Sequence, residues 1–236
     1  MTIAEAISFL RGELKDTSSD TARQRRIDSV FVNKLNIAQK LFCRFTKALR
    51  GESTLTLTED DDEADVPSDF ICFDPEDVVG EEGGIILNNV SMDYRTTGWL
   101  DKHESGWRGA DSATPNNWHL KDLATIRFNC PLSATAAAYT AIIRYIRGVT
   151  ALSTDDTSAE LLEGIDALVD YHYTILYWVL ARCKGEDGDG TGHDKFFAMW
   201  KSGLEEAKGD LKMEKAMRGA LQMDPRYTAQ IPRPPE

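Results

Sequence analysis

The stretch FVNKLNIAQKLFCRFTKALRGESTLTLT, residues 31–58, changes its hydrophobic period and thereby divides the chain. From Ile27 to Leu49, apolar residues recur at three- and four-residue spacing, which predicts one long amphipathic helix. Gly51 stands where a glycine commonly ends a helix. Beyond it, Leu55 and Leu57 alternate with threonines, and this period of two predicts a strand. We therefore expect helix to give way to β structure near residue 51.

The residues before this stretch predict a shorter amphipathic helix. Thr2, followed three residues later by Glu5, forms a capping box that starts it. The apolar residues that follow share one helical face. They are Ile3, Ala6, Ile7, Leu10 and Leu14. A polar break at residues 16–20 separates this helix from the longer one.

The residues after the stretch keep a period of two in short runs, and the pattern predicts five short antiparallel strands. The later runs are Phe70–Phe73, Gly84–Leu87, Ala124–Phe128 and Tyr139–Ile146. Between them, residues 91–121 hold Trp99, Trp107 and Trp118 among few aliphatic residues. We expect these aromatic side chains to plug one end of the sheet.

Helical periodicity returns at residues 161–179 and 196–217, on either side of a glycine-rich break, and predicts an antiparallel helical pair. Residues 224–236 hold four prolines and no periodic pattern, which predicts an extended tail. The expected fold class is α+β: an antiparallel helical bundle with an inserted small antiparallel β domain and an extended C-terminal tail. The expected domains are 1–51 (N-terminal helices of the bundle), 52–150 (inserted β domain with its Trp-rich loop), 151–223 (C-terminal helical hairpin) and 224–236 (Pro-rich tail).

Composition argues against several classes of function. The 39 acidic and 27 basic residues give a net charge of −12, which repels a phosphate backbone, so the monomer is not expected to bind nucleic acid. The longest uncharged apolar runs are too short to span a bilayer, and no export signal is recognisable. The four cysteines form no CxxC pair and are expected to be reduced, in cytoplasm. They are Cys43, Cys72, Cys130 and Cys183.

The sequence predicts no enzyme, no metal site and no cofactor. It lacks the nucleophile elbow, the phosphate-binding loop and the HExxH zinc motif. Asp187, Asp189 and Thr191 imitate the start of a calcium loop, but Ala198 occupies the position of its closing glutamate, so a surface connection is the better interpretation. The histidines are too dispersed for a metal motif, and His172, on an apolar face, is expected to be a hydrogen-bonded core residue.

Two charged groups and the tail are candidate binding elements. A basic group near the first helix could contact a neighbour's acidic loop in a ring of identical subunits. A solvated helix start is the equal alternative for the basic group, and a solvated loop is the favoured interpretation of the acidic run. These candidates are Arg11, Lys15, Arg23, Arg25 and Arg26 on one side, and Glu59, Asp60, Asp61, Asp62 and Glu63 on the other. The tail combines aromatic, Arg and Pro residues, which suits docking in a partner's groove, with disorder as the alternative. Its docking candidates are Arg226, Tyr227, Ile231, Pro232, Arg233, Pro234 and Pro235.

This order of elements resembles the head-to-tail adaptor (connector) proteins of tailed bacteriophages. The local likeness lies in FVNKLNIAQK at 31–40, LTLT at 55–58, VPSDF at 66–70, NNWHL at 116–120, TIRF at 125–128, residues 139–148 and LVDYH at 168–172. The resemblance implies a structural virion protein of the neck, assembled in the host cytoplasm as a dodecameric ring. Its partners would be the portal protein and a tail or nozzle protein, with DNA passing through the lumen without specific binding and no membrane involved. A tail-completion or baseplate protein, or a small hydrolase with a site assembled from distant residues, are the alternatives.

Overall fold

The computed structural model describes residues 1–16, 25–73, 84–104, 106–122, 124–156, 158–162 and 170–223, the last ten as helical backbone. The chain divides into two compact units. Met1–Ala48 and Ala151–Glu236 form the helical unit, and Leu49–Thr150 form the β unit. The combination confirms the predicted α+β fold class.

The helices of the described residues are α1 (Ile3–Leu14), α2 (Asp28–Thr46), α3 (Thr97–His103), α4 (Ala134–Ala137), α5 (His172–Glu186) and α6 (Gly190–Met223), with a 3-10 helix at Trp107–Gly109. The strands are β1 (Arg50–Leu55), β2 (Glu63–Asp65), β3 (Phe70–Cys72), β4 (Ile85–Leu87), β5 (Val90–Ser91), β6 (Asp93–Tyr94), β7 (Asn117–Leu120), β8 (Thr125–Phe128) and β9 (Ala141–Arg147).

In the helical unit, α5 is the central helix, since it packs against α1, α2 and α6. Most of its side chains are buried, including Ile175, Leu176 and Val179. A helix that is apolar on nearly all sides needs neighbours all round it. The predicted capping box at the start of α1 is confirmed: Thr2 Oγ accepts from the Glu5 amide at 3.3 Å, and Glu5 Oε2 accepts from the Thr2 amide at 2.9 Å.

Two predicted helix boundaries in this unit were wrong. Helix α2 ends at Thr46, where Lys47 adopts the left-handed conformation. The C-terminal helical pair is confirmed as α5 and α6, but α5 starts only at His172. Leu161 and Leu162, predicted to be helical, are buried in a turn, and residues 163–169 lie outside the described part. The predicted glycine-rich break is only the three residues 187–189, because Gly190 and Gly192 already belong to α6.

Gly51 does not end a helix but lies in β1, opposite Tyr145 of β9. A Cβ atom at this position would lie 2.8 Å from the Tyr145 ring. The missing side chain therefore makes room for a buried aromatic ring across the strand pair.

The β unit contains two sheets instead of the five antiparallel strands that the sequence predicted. One sheet has the order β1–β9–β4–β5, with β3 also paired to β9, and the other has the order β2–β8–β7–β6. All described pairs are antiparallel except β6 with β7, which is parallel. Residues of both sheets form one hydrophobic core. It includes Ile85 and Ile143 from the first sheet and Trp118 and Phe128 from the second.

The Trp-rich stretch is more ordered than predicted and is not a plug. It contains β6, α3, the 3-10 helix and β7. Trp118 lies in β7, is completely buried, and donates from its indole nitrogen to the Met92 carbonyl at 3.2 Å. Its aromatic neighbours are Phe73 and Tyr94, with ring centroids 4.5 Å and 5.0 Å away. Trp118 is therefore a core residue of the β unit.

Candidate assembly surfaces

Arg11, the first residue of the basic group, is directed at its own chain. Its side chain is only 11% exposed and lies between α1 and the start of α2. The guanidinium contacts Asp16 at 3.3 Å and Asp28 at 2.6 Å, and its central carbon lies 5.2 Å from the Phe31 ring centroid. Arg11 therefore fastens the connection between two helices of the unit.

Asp16, which sequence reasoning did not single out, is the buried acceptor of this connection. It is 4% exposed, and its carboxylate accepts hydrogen bonds from the backbone amides of Arg25 and Arg26 at 2.9 Å and 3.2 Å. A buried carboxylate needs such donors to offset its desolvation. The only sequence sign of this role is its position two residues after Leu14, the last apolar residue of α1.

Arg25 and Arg26 meet Asp187 in the turn between α5 and α6. The Asp187 carboxylate lies 2.9 Å from Arg25 and 2.7 Å from Arg26. The hydrogen bond from Arg26 lowers the pKa of Asp187 from its ordinary value. Arg26 is 10% exposed, whereas Arg25 is 58% exposed. Of the basic group, Arg25 and the helix-capping Lys15 are exposed, and Arg23 lies outside the described residues.

The acidic run lies on the connection from β1 to β2, and only its first part faces solvent. Glu59, Asp60 and Asp61 are exposed. Asp62 forms an ion pair with Arg127 at 2.7 Å, and Glu63 forms one with Lys121 at 2.6 Å. These ion pairs thus hold the start of β2 against β8 and β7 of its own sheet, while three carboxylates remain on the surface.

The calcium-like segment behaves as a helix connection. Asp189 Oδ1 accepts from the Gly192 amide at 2.8 Å, so its carboxylate caps the first turn of α6, and this hydrogen bond lowers the pKa of Asp189. Over the described part of the chain, no three or more His, Cys, Asp or Glu residues are arranged to hold a metal ion. The docking residues predicted in the tail, from Arg226 to Pro235, lie outside the described residues.

Two histidines are buried. His172 is a hydrogen-bonded core residue as predicted: its Nε2 lies 2.8 Å from the Leu161 carbonyl, and burial lowers its pKa. His119, in β7, lies edge-on to Trp107 with ring centroids 5.5 Å apart, and burial lowers its pKa too. Both side chains therefore favour the neutral imidazole, and neither lies in a cluster of metal ligands.

None of the helices in the described ranges is both long and apolar enough to cross a membrane. Cys43, Cys130 and Cys183 are buried, and Cys72 is partly buried. Burial raises the pKa of the Cys130 and Cys183 thiols, which makes them poor nucleophiles. The described side chains are thus organised for packing and surface contact.

The family model for the SU10 adaptor protein matches residues 1–229. The chain belongs to the SU10 adaptor protein family. Membership confirms the resemblance to phage head-to-tail adaptors that the sequence indicated, and makes this SU10 adaptor family member a bacteriophage structural adaptor protein. No curated protein matches the chain.

Proposed function

We propose that this adaptor protein forms a dodecameric ring in the virion neck, joins the portal to the tail or nozzle protein, and lines the channel through which DNA leaves. The observation that carries the proposal is the adaptor family match over residues 1–229, which runs through both the helical and the β unit. The proposed role is structural: the chain holds other virion proteins in position, and no residue is assigned a catalytic role.

The exposed members of the two charged groups support subunit contacts. Glu59, Asp60 and Asp61 present carboxylates on a loop, and Lys15 and Arg25 present cations near the start of the bundle. Arg11 and Arg26 contribute less, since both are largely buried and paired with internal carboxylates, whereas Arg25 pairs with Asp187 but is 58% exposed. Opposite charges on neighbouring copies would fix the register of a ring more than they would add affinity.

The tail is proposed to reach the portal. Residues 226–235 combine Arg, Tyr, Ile and Pro, a composition that loses little entropy on docking in an extended conformation and offers aromatic and guanidinium anchors. The net charge of −12 per copy supports the proposed role as a channel wall. Carboxylates on such a wall would repel the DNA phosphates, so DNA would pass through the channel without binding to it.

The direct test is binding of the purified full chain to portal rings of the same phage. We expect the chain to co-sediment with portal rings, and the chain truncated after Met223 to bind at least about tenfold more weakly, since a hot-spot anchor contributes on the order of 2 kcal/mol. Absence of any complex would overturn the adaptor proposal. Equal binding of the truncated chain would remove only the role of the tail.

A further inference from the structure

The outer side of α2 carries an exposed apolar row beside a basic row, here called the basic face. It consists of Ile37, Lys40, Leu41, Arg44 and Phe45. Ile37, Leu41 and Phe45 follow one another at four-residue spacing and form one row, and the exposed Lys40 and Arg44 form the next. Ile37 is 49% exposed and Phe45 is 46% exposed, which are high values for large apolar side chains.

The basic face continues onto α6. The Phe45 ring lies edge-on to Trp200 with centroids 5.9 Å apart, and Trp200 lies 5.3 Å from Phe197. Lys201 Nζ lies 4.7 Å above the Phe197 ring. In the sequence, residues 29–51 contain no acidic residue, so α2 presents only positive charge around its apolar row.

A second face, on α1 and α5, has the opposite charge and is here called the acidic face. It consists of Glu5, Phe9, Glu13, Asp170 and Tyr173. Glu5, Phe9 and Glu13 form one row along α1 at four-residue spacing, with both carboxylates exposed. Phe9 meets Tyr173 edge-on with centroids 5.4 Å apart, and Tyr173 is 48% exposed. The exposed Asp170 lies one 3-10 turn before Tyr173, on the same side.

The acidic face is complementary to the basic face in shape as well as in charge. Beside the row of Phe9 lies a row of small exposed residues, Ala4, Ser8 and Gly12. A Cβ atom at Gly12 would meet nothing within 4 Å. A row of small residues is a groove in a helix surface, and the ridge of large side chains on a facing helix packs into such a groove.

We propose that the basic face of one copy of this chain binds the acidic face of the next copy. Because the two faces lie on different helices, one copy presents both and binds two neighbours head to tail, the heterologous contact that closes into a ring. The inference rests on the ring-forming function proposed above and names the subunit interface of that ring. The ridge of Ile37, Leu41 and Phe45 fills the groove, while Lys40 and Arg44 meet Glu13 and Asp170.

The test uses full-length chains with charge-reversed faces, bound to portal rings. K40E/R44E makes both faces acidic, and E13K/D170K makes both faces basic. Each variant alone should still bind portal but show at least about tenfold less chain-to-chain cross-linking by glutaraldehyde, which couples lysines throughout the chain, because like charges then face each other. An equimolar mixture should restore cross-linking and a full ring, because each reversed face then meets its complement.

The matched control K40R/R44K keeps the charge and should assemble like wild type, and circular dichroism checks that every variant is folded. The inference is overturned if either reversed variant cross-links like wild type, or if the folded variants fail and their mixture does not recover. A reversed variant that does not fold is replaced by I37S/F45S, which should lose lateral cross-linking while binding portal. If wild type itself does not bind portal, the proposed function fails along with the inference; binding without a lateral charge effect overturns the inference alone.

Discussion

At the scale of single residues, the helical unit depends on carboxylates that join segments far apart in sequence. Asp187 accepts from Arg25 and Arg26 and so connects the start of α2 to the turn between α5 and α6. Asp16 and Arg11 form a second such connection between α1 and α2. Hydrophobic periodicity carries no information about these pairs, since Asp16, Arg25, Arg26 and Asp187 all lie in polar segments beside the helices. Arg11 and Arg26 were therefore predicted only as candidates for contact with a neighbour or as solvated residues, whereas the structure pairs them within the chain.

Substitution of Asp187 by Asn should lower the free energy of unfolding by about 2 kcal/mol, between the values for exposed and fully buried pairs. The reason is that Arg26, only 10% exposed, loses its ionised partner. Arg26 lowers the pKa of Asp187 in the folded state. The contribution of this ion pair to the free energy of unfolding is therefore complete above the pKa of the unfolded chain, near 4, and is lost as pH falls through the lower pKa of the folded state. Urea unfolding at pH 7 and pH 3 measures both effects.

The neighbouring Glu186 provides the control, because it pairs with Lys34 and lies 3.9 Å from the same Arg26 guanidinium but is 51% exposed. E186Q should cost less than about 1 kcal/mol. Equal losses for D187N and E186Q at pH 7 would contradict the role assigned to Asp187.

Tyr145 should make the β unit sensitive to alkali. It is 5% exposed, its hydroxyl donates to Asp69 at 2.7 Å, and burial together with this hydrogen bond raises its pKa to about 12. Folding favours the neutral phenol. The contribution of Tyr145 to the free energy of unfolding is therefore present below pH about 10 and is lost as pH rises toward 12. Y145F should unfold about 1 kcal/mol more easily at pH 8 and lose less stability than wild type at pH 10.5. Urea titrations at both pH values test this, and Y94F, at a side chain 36% exposed, is the control.

At the scale of elements, long periodic segments were predictable and short ones were not. Helices α1, α2 and the α5–α6 pair show clear apolar rows, and each was expected from the sequence. Strands β5 and β6 have two residues each, too few to show any period, and their pairing is determined by the core around Trp118. The predicted helix end at Gly51 was wrong because glycine occurs both at helix ends and in strands where a neighbouring aromatic ring needs space.

Two helical glycines should respond oppositely to alanine. Gly12 of α1 has open space where a Cβ would stand, so G12A should stabilise the chain by up to about 1 kcal/mol through helix propensity. At Gly203 of α6 a Cβ would lie 2.2 Å from Thr174 Oγ of α5, a side chain only 5% exposed. G203A should therefore destabilise by about 1–3 kcal/mol through overpacking. Thermal unfolding of both variants measures the difference, and equal shifts would contradict the close approach of α5 and α6.

The larger substitution G12L separates folding from assembly. It should leave the melting temperature of the free chain unchanged or higher, because Gly12 is exposed and a Cβ atom there meets nothing within 4 Å. It should also reduce lateral cross-linking on portal rings, because it fills the groove that the ridge on α2 is proposed to enter. Unimpaired cross-linking by G12L would place the interface elsewhere.

At the scale of the whole molecule, the α+β class and the adaptor family followed from the sequence, because both depend on the order of long elements. The assembly surfaces did not, because a surface row is recognisable only once burial shows which side of each helix is free. Periodicity placed Phe45 on the apolar face of its helix, yet Phe45 is almost half exposed, and so is Ile37, which the periodicity did not include. A solvent-facing apolar row within a helix that also has a buried face is what an assembling subunit requires.

Ring formation on the portal is the property on which the proposed function of this adaptor depends. The most direct measurement is a cryo-electron microscopy reconstruction, without imposed symmetry, of the full chain bound to portal rings of the same phage. We predict a closed ring of copies below the portal, with α2 of each copy against α1 of the next and a central channel wide enough for duplex DNA. Isolated copies without lateral contact, or portal rings without added density, would contradict it.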